Sequence, residues 1–167
     1  MSLNELKFVY LRYKVSRADI ASILPFHSNT TEYQTTSGHT ITPSVCSKDL
    51  GVHMTPDYIW NEHIGEIITD ANRAASWALA IFKDRTRDVM VPLYTSFVRS
   101  HLEFCCPLWS PHDIGSIQRL ENVQREFTRH IAGLQSLEYW ERLRTINLMS
   151  LQRRRERYQI IHIVTYK

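Results

Sequence analysis

The chain has 167 residues, of which 43% are apolar and 22% are charged, so it can bury a hydrophobic core and differs in composition from a disordered protein. Five glycines and six prolines are too few for the many turns of an all-β sandwich, and they favour helices. The formal net charge is only +3, but the segment from Arg119 to Lys167 holds ten basic and five acidic residues, so this basic third is the better surface for an anionic partner.

The N-terminal third has the patterns of short strands. Residues 7–13 are rich in aromatic and branched side chains, which predicts a strand. Residues 16–24 could form one or two helical turns before Pro25 ends them. Residues 45–54 could supply another strand, with a bend at Gly51.

A β-hairpin is predicted between these runs. Ser37 and Gly38 are typical turn residues, and they separate the strand-like residues 33–36 from residues 39–42. With the strands on either side, the hairpin predicts that residues 1–55 form a β-rich portion.

Helical spacing begins after Thr55 and Pro56, which suit an N-cap and a first helical position. From Trp60 to Phe82, apolar residues recur at steps of three and four, the period of an amphipathic helix. The sequence therefore predicts one long helix over this stretch.

Four more helices are predicted downstream, over residues 88–104, 114–131, 136–146 and 150–167. Pro92 must lie in or near the first turn of the first of them, and Gly133 is a left-handed cap after the second. The spacing directs these apolar side chains inward: Leu93, Phe97, Phe104, Ile114, Ile117, Leu120, Phe127 and Ile131. The predicted fold is α+β and mostly α, with the β-rich portion followed by a five-helix bundle over residues 56–167.

The sequence has the features of an intracellular protein. No apolar run approaches the ~20 residues of a membrane-spanning helix, and the first residues lack the basic and apolar regions of a secretory signal. The chain has three cysteines, Cys46, Cys105 and Cys106. Because their number is odd and two of them are adjacent, reduced thiols are expected rather than disulfides. We therefore expect a nuclear or cytoplasmic protein that does not contact membranes.

No complete active site is found in the sequence. The seven aspartates are dispersed, without an Asp-Asp or Asp-x-Asp pair to hold two metal ions, and no Cys-x-x-Cys suggests zinc. The five glycines stand too far apart for a phosphate-binding loop. We therefore predict no catalytic residue, no metal ligand and no small-molecule substrate for this chain by itself.

The segment Gln152 to Tyr158 is the strongest local charge signal, because it holds four arginines. At ~100° per residue, Arg153 and Arg157 share one helical face, whereas three successive arginines cannot. One interpretation is that these arginines bind a phosphate backbone. The other is that they pair with nearby glutamates and join helices together, the candidate partners being Glu126, Glu138, Glu141 and Glu156.

The aromatic residues allow two interpretations as well, since they lie at helix faces or breaks and could pack in the core or stack on bases. We expect core packing for all six: Trp60, Trp77, Phe97, Phe104, Trp109 and Trp140.

Several segments, taken in order over nearly the whole chain, resemble the reverse transcriptases of non-LTR (LINE-type, jockey-like) retrotransposons. Near the N-terminus, Leu3-Asn4-Glu5-Leu6-Lys7-Phe8 resembles the end of polymerase motif D, and Lys48-Asp49-Leu50-Gly51-Val52 is similar to the Leu-Gly hairpin of motif E. The other matching segments include the following, in chain order: Trp60-Asn61-Glu62-His63-Ile64, Val98-Arg99-Ser100-His101-Leu102-Glu103-Phe104, Pro107-Leu108-Trp109-Ser110-Pro111, Leu120-Glu121-Asn122-Val123-Gln124-Arg125, Ile131-Ala132-Gly133-Leu134, Tyr139-Trp140-Glu141-Arg142-Leu143 and Ser150-Leu151-Gln152-Arg153-Arg154-Arg155.

This resemblance implies the C-terminal part of such an enzyme: the end of the palm, the primer grip and a helical thumb and connection. The aspartates that bind two Mg²⁺ ions belong to motifs A and C, upstream of motif D, and have no counterpart here. The implied function is to contribute to an RNA-directed DNA polymerase without catalysing its reaction. The implied partners are an RNA–DNA hybrid or RNA, together with the missing upstream polymerase portion.

The resemblance also implies roles for particular residues. Leu50 and Gly51 would form part of the primer grip. Arginines of the two basic helices would bind the nucleic-acid backbone, namely Arg125, Arg129, Arg153, Arg155 and Arg157. Arg142 and Arg154 are flanked by core positions, and we expect them to join helices instead.

One position departs from the family, which usually carries an arginine where this chain has Ala80. The loss of that cation fits a decayed copy of a mobile element. Two alternatives to the polymerase interpretation therefore remain: a retained helical module that binds nucleic acid without polymerising, and a non-functional relic.

Overall fold

The computed structural model describes residues 8–11 and 32–165 of the chain. Short strands near the N-terminus are followed by helices, so the protein is mixed α/β and mostly helical. The chain divides into two compact units, Met1–Trp60 and Asn61–Lys167. The helix predicted over residues 16–24 lies outside the described residues, as do the ends of the strand predicted over 7–13.

The described residues of the N-terminal unit form five short strands: β1 Val9–Leu11, β2 Tyr33–Gln34, β3 Thr40–Ser44, β4 Ser47–Asp49 and β5 Val52–Met54. β3 lies between β1, to which it is parallel, and β2, to which it is antiparallel. The turn from β2 to β3 closes where the Gly38 N–H donates to the Thr35 carbonyl oxygen at 2.9 Å, and Gly38 has φ +85°. The predicted hairpin is thereby confirmed. It was predictable because the turn depends on the local sequence alone.

The second hairpin differs from the prediction of one bent strand over residues 45–54. Here β4 and β5 pair antiparallel, with Asp49 opposite Val52. Leu50 and Gly51 connect them and both have positive φ, +46° and +86°. Two consecutive residues with positive φ form the tight turn whose twist matches that of paired strands, so the chain reverses at Gly51 instead of bending.

The first helix, α1, spans Asn61–Ile81 and begins later than Thr55 and Pro56 led us to expect. The Thr55 hydroxyl does not cap a helix: it donates to the Ile59 carbonyl at 3.0 Å and accepts the Ile59 N–H at 3.1 Å. Tyr58 between them has φ +56°, a left-handed conformation that no α-helix contains. This closed turn delays the start of the helix.

The helix predicted over residues 88–104 is interrupted by a π-helical turn. Its parts are α2 at Arg87–Leu93, the π-helix at Tyr94–Val98 and α3 at Arg99–Glu103. Pro92 lies inside α2, where it has no N–H to donate to the preceding turn. The π-helix has i→i+5 bonds and so holds more residues per turn than the α-helix assumed from the spacing.

The π-helical turn changes which side chains are buried. Leu93 is buried as predicted, and beyond it Val98 and Leu102 enter the core. Phe97 and Phe104 are 46% and 52% exposed, so their predicted inward positions are wrong. The change of helical period accounts for Phe97, and Phe104 lies past the end of α3, next to Cys105 with its φ of +50°.

Four further helices complete the C-terminal unit: α4 Cys106–Trp109, α5 Ile114–Arg129, α6 Tyr139–Thr145 and α7 Leu151–Thr165. The Asp113 carboxylate caps α5 by accepting the Ser116 N–H at 2.7 Å, and this bond lowers the pKa of Asp113. Ile114, in the first turn after that cap, is 72% exposed, so its predicted inward position is wrong. Leu120, Phe127 and Ile131 are buried as predicted.

The core of the C-terminal unit forms where α1 packs against α5, α3 and the π-helix, while α7 packs against α4 and α5. Its most deeply buried large side chains are Trp109, Tyr94, Phe127, Ile64, Met90, Leu102, Leu120, Ile131 and Leu151. Trp109 also donates its indole N–H to the Phe104 carbonyl at 2.7 Å. No helix in the described part of the chain combines the length and apolarity needed to cross a bilayer.

Candidate nucleic-acid interface

The tip of the second hairpin places Leu50 and Gly51 at the surface. Leu50 is 86% exposed and has a positive φ, which is uncommon for a residue with a large apolar side chain. Asn or Gly would fit the first position of such a turn with less strain. The two residues that resemble a primer grip therefore form a protruding apolar tip.

Arg153 and Arg157 lie on the outer face of α7, one helical turn apart. Both are exposed, and among the described residues the structure records no ion pair for either guanidinium. The backbone N–H of Arg153 donates to the Ser150 hydroxyl at 3.3 Å, so its position at the start of the helix is fixed while its side chain extends into solvent. These two cations are available to an anionic partner.

Arg125 and Arg129 form a second pair one turn apart, on α5. Arg129 lies 3.3 Å from Glu126 in an ion pair whose side chains are 58% and 60% exposed, so the pair contributes little and can exchange partners. Arg125 is half-buried: it donates to the Asn122 side chain at 2.6 Å and its guanidinium lies 4.8 Å from the centre of the Tyr139 ring. Arg129 is therefore the more accessible of the two.

The contacts of Arg154 and Arg142 confirm that these residues join helices. Arg154 donates to both carboxylate oxygens of Glu103, at 2.5 and 3.0 Å, and so connects α7 to α3. This pairing raises the pKa of Arg154 further. Arg142 donates to the carbonyls of Leu137 and Arg125 at 2.9 and 3.2 Å, which connects α6 to α5.

Arg155, the third predicted nucleic-acid-binding arginine of α7, is only 2% exposed. It lies one turn after Leu151, which is completely buried, so both occupy the inner face of the helix. In this position Arg155 does not reach the outer surface that Arg153 and Arg157 share. The accessible set is therefore Arg129, Arg153 and Arg157, with Arg125 partly covered.

A buried polar network holds the two basic helices in place. The carboxylate of Glu121 on α5 accepts the Tyr139 hydroxyl and the N–H groups of Leu151 and Gln152, the latter two at 3.3 Å. A negative charge at these N–H groups stabilises the start of α7. The orientation of Arg153 and Arg157 therefore depends on a residue of α5.

A neighbouring pair of buried side chains extends this network. The Tyr94 hydroxyl donates to Gln124 at 2.6 Å, and the Gln124 amide donates to the Met149 carbonyl at 3.2 Å, just before α7. Burial raises the pKa of Tyr94 well above its usual value. Burial raises the pKa of Tyr139 too, and the nearby Glu121 adds to that effect.

The expected core packing of the aromatic residues holds for Trp109 but is wrong for four others. Trp77 is 49% exposed and Trp140 is 61% exposed. Phe97 and Phe104 are exposed to 46% and 52%, and Trp60 is half-buried. Trp77 and Phe97 lie with ring centres 5.8 Å apart on the surface of the helical unit. Their spacing in sequence gave no sign of this, because the π-helical turn brings Phe97 to the outside.

The buried polar network was also missed from the sequence. A signal was present: Glu121, Gln124 and Thr128 recur on the face of α5 that also carries Leu120 and Phe127. Polar residues on an apolar face indicate internal hydrogen bonds.

Comparisons of the chain with protein-family models, with curated proteins and with solved structures find no match.

Proposed function

We propose that the chain is the C-terminal part of a retrotransposon-type reverse transcriptase, in which it contributes a primer grip and binds the backbone of the template–primer duplex. The catalytic aspartates and their two Mg²⁺ ions belong to the upstream portion of the intact enzyme. By this proposal the helical unit is thumb-like. The chain binds an RNA–DNA hybrid and does not polymerise by itself.

The single observation that carries the proposal is the division of the α7 arginines. Arg154 pairs with Glu103 and Arg155 is buried, while Arg153 and Arg157 extend from one face with no acidic partner among the described residues. Exposed arginines 6 Å or so apart along a helix, roughly the rise of one turn, suit successive phosphates of a backbone. Backbone binding of this kind needs positive charge and little base recognition.

Two further observations support the proposal. The Leu50-Gly51 tip is exposed on a tight hairpin, as a grip on a primer end requires. In the N-terminal unit, Val52 is the only described apolar residue that is fully buried, which suits strands that pack against the rest of a palm.

Fluorescence anisotropy with a labelled RNA–DNA hybrid tests backbone binding. We expect the double variant R153Q/R157Q to lose about tenfold or more in affinity, since each charge-assisted phosphate contact contributes roughly 1 kcal/mol. The matched control is the double variant R87Q/R144Q, which removes the same two charges from exposed sites on α2 and α6. Equal losses in the control and test variants would show that only net charge matters.

The family departure at Ala80 supplies a gain-of-function test. Ala80 is exposed near the end of α1. If α1 faces the duplex, the variant A80R restores a cation and strengthens hybrid binding about threefold to tenfold. An unchanged affinity would place α1 away from the duplex.

Primer extension separates the polymerase interpretation from the alternatives. We expect no extension by this chain with Mg²⁺ and nucleotides, and its appearance would contradict the assigned catalytic incompleteness.

The second candidate function is a helical nucleic-acid-binding module, which the extensive core within Asn61–Lys167 favours. For that module, the variant L50A leaves hybrid binding unchanged, whereas a primer grip loses preference for a recessed primer end.

A further inference from the structure

A small polar cavity lies beside Arg155 in the helical unit. Its volume is about 150 Å³, and it opens between the segment after α4 and the first turns of α7. The polar residues that line it are Ser110, His112, Gln152, Arg155, Glu156 and Gln159. Arg155 is the most buried of them, at 2% exposure, while Gln152 and His112 reach solvent.

The terminal nitrogens of the buried Arg155 guanidinium lack hydrogen bonds among the described residues. Within the part of the chain that the structure describes, neither of its terminal nitrogens, Nη1 and Nη2, has a hydrogen-bond partner. Glu121 attracts the charge from a distance, but its oxygens are engaged by Tyr139 and by the start of α7. A buried cation without hydrogen bonds is costly, so a ligand that accepts two N–H groups would be stabilised here.

The chemistry of the cavity selects a tetrahedral oxyanion. A planar guanidinium binds two oxygens of a phosphate side by side, and the Ser110 hydroxyl and the amides of Gln152 and Gln159 can donate to the remaining oxygens. The cavity volume of about 150 Å³ is roughly ten times the ~15 Å³ that one water needs, so the cavity has room for a phosphoryl group.

We propose that Arg155 and the cavity it lines form a binding site for a single phosphoryl group, either a free phosphate ion or the terminal phosphate of a nucleotide. The site goes beyond the proposed function and does not depend on it, since it faces away from the outer arginines of α7. Glu156 is the one acidic residue of the lining, and its carboxylate, which accepts the Gln152 amide at 3.1 Å, weakens binding by repulsion.

Isothermal titration calorimetry of the full chain with inorganic phosphate, at constant ionic strength, tests the site. We expect saturable binding that R155M abolishes and R155K weakens, because Lys keeps the charge but lacks the planar pair of donors. E156Q is expected to tighten binding on the order of threefold to tenfold by removing a nearby negative charge. The matched control R144M removes an exposed arginine elsewhere and leaves phosphate affinity unchanged.

The nucleotide AMP and its unphosphorylated analogue adenosine distinguish the two sources of the phosphoryl group. Binding of AMP but not adenosine assigns a terminal phosphate, and binding of phosphate alone assigns the free ion; both outcomes support the site. Absence of phosphate and AMP binding overturns it, as does equal phosphate affinity of R155M and the parent chain. If R155M does not fold, R155K and E156Q decide: unchanged affinity in both contradicts the proposal.

Because no nucleic-acid duplex is used, this experiment is independent of the proposed function. Loss of hybrid binding in R153Q/R157Q with intact phosphate binding supports both proposals. Loss of phosphate binding in R155M with unchanged hybrid affinity shows that the cavity and the outer surface act separately.

Discussion

The two compact units of the chain differ in how they bury apolar residues. Among the described residues of Met1–Trp60, Val52 alone is a fully buried apolar side chain, while Phe8, Val9, Tyr33, Val45 and Leu50 are exposed. In Asn61–Lys167, a continuous core runs from Ile64 to Leu151. The difference indicates that the helices are stabilised by their own packing, whereas the strands have an apolar surface that suits a further sheet.

The largest expected effect concerns the core of the helical unit. Trp109 is fully buried and hydrogen-bonded to Phe104, so W109A should cost about 4 kcal/mol of unfolding free energy. Denaturant unfolding followed by circular dichroism at the helical band measures the loss. V52A is the comparison in the N-terminal unit, and we expect it to leave the helical transition within about 0.5 kcal/mol. A large shift in V52A would mean that the two units unfold together.

The next largest effect concerns the buried network of Glu121. E121Q replaces the carboxylate that accepts the Tyr139 hydroxyl and two N–H groups of α7, so we expect a loss of about 3 kcal/mol. The control is E126Q on the same helix, whose exposed ion pair with Arg129 contributes less than about 1 kcal/mol. Equal destabilisation by the two variants would contradict the assigned role of Glu121.

Thiol reactivity tests the burial of the core in the helical unit. Cys106 is buried, and burial raises its pKa to about 11, so little of the reactive thiolate forms near neutral pH. Cys46 is half-buried, with its sulfur 3.7 Å from the His53 ring nitrogen, and Cys105 is exposed. In alkylation followed by mass spectrometry, we expect Cys106 to react at least a hundredfold more slowly than Cys105. Comparable rates would show that the helical core opens readily.

The raised pKa of Cys106 also fixes the direction of a pH effect. The pKa of an unfolded thiol is about 8.5, whereas that of the folded Cys106 thiol is about 11. The contribution of this thiol to the free energy of unfolding is therefore fully present below about pH 8.5 and is lost as the pH rises toward 11. The buried Tyr94 and Tyr139 act in the same direction above pH 10. Denaturant midpoints measured across this range should fall, and a constant midpoint would contradict the burial of these groups.

The smallest effect concerns the strain at the hairpin tip. Leu50 has φ +46°, and Asn adopts that conformation at lower cost, so L50N should stabilise the N-terminal unit by about 0.5 kcal/mol. Hydrogen exchange of the β4–β5 amides measures this local change. The same variant removes the exposed apolar side chain, so a primer grip should weaken while stability rises. Slower hybrid dissociation in L50N would contradict the role proposed for Leu50.

Local sequence predicted the elements better than it predicted their inward faces. The hairpin at Gly38 and the last three predicted helices were found because turns, caps and apolar period are encoded by neighbouring residues. The burial of Phe97 and Ile114 was predicted wrongly, since a π-helical turn and a helix end change the face on which a residue lies. The helix cap predicted at Thr55 is wrong because a closed turn to Ile59 has the same sequence signal.

The arginines show why the candidate site was only partly predictable. With the period of an α-helix, Arg153 and Arg157 lie on one face of α7. Arg155 lies on the opposite side, one turn after the apolar Leu151. That spacing could have excluded Arg155 from the outer surface. The partner of Arg154 could not be found in this way, because Glu103 lies 51 residues earlier in the chain and becomes its neighbour only through packing.

The salt dependence of hybrid binding tests the central claim most directly. The observed association constant, measured against salt concentration for the parent chain and for R153Q/R157Q, reports the number of phosphates that the two arginines neutralise. We predict that the slope of log K against log salt is about two smaller in magnitude for R153Q/R157Q, while the control R87Q/R144Q keeps the parent slope. Identical slopes for R153Q/R157Q and the parent would contradict backbone binding by the outer face of α7.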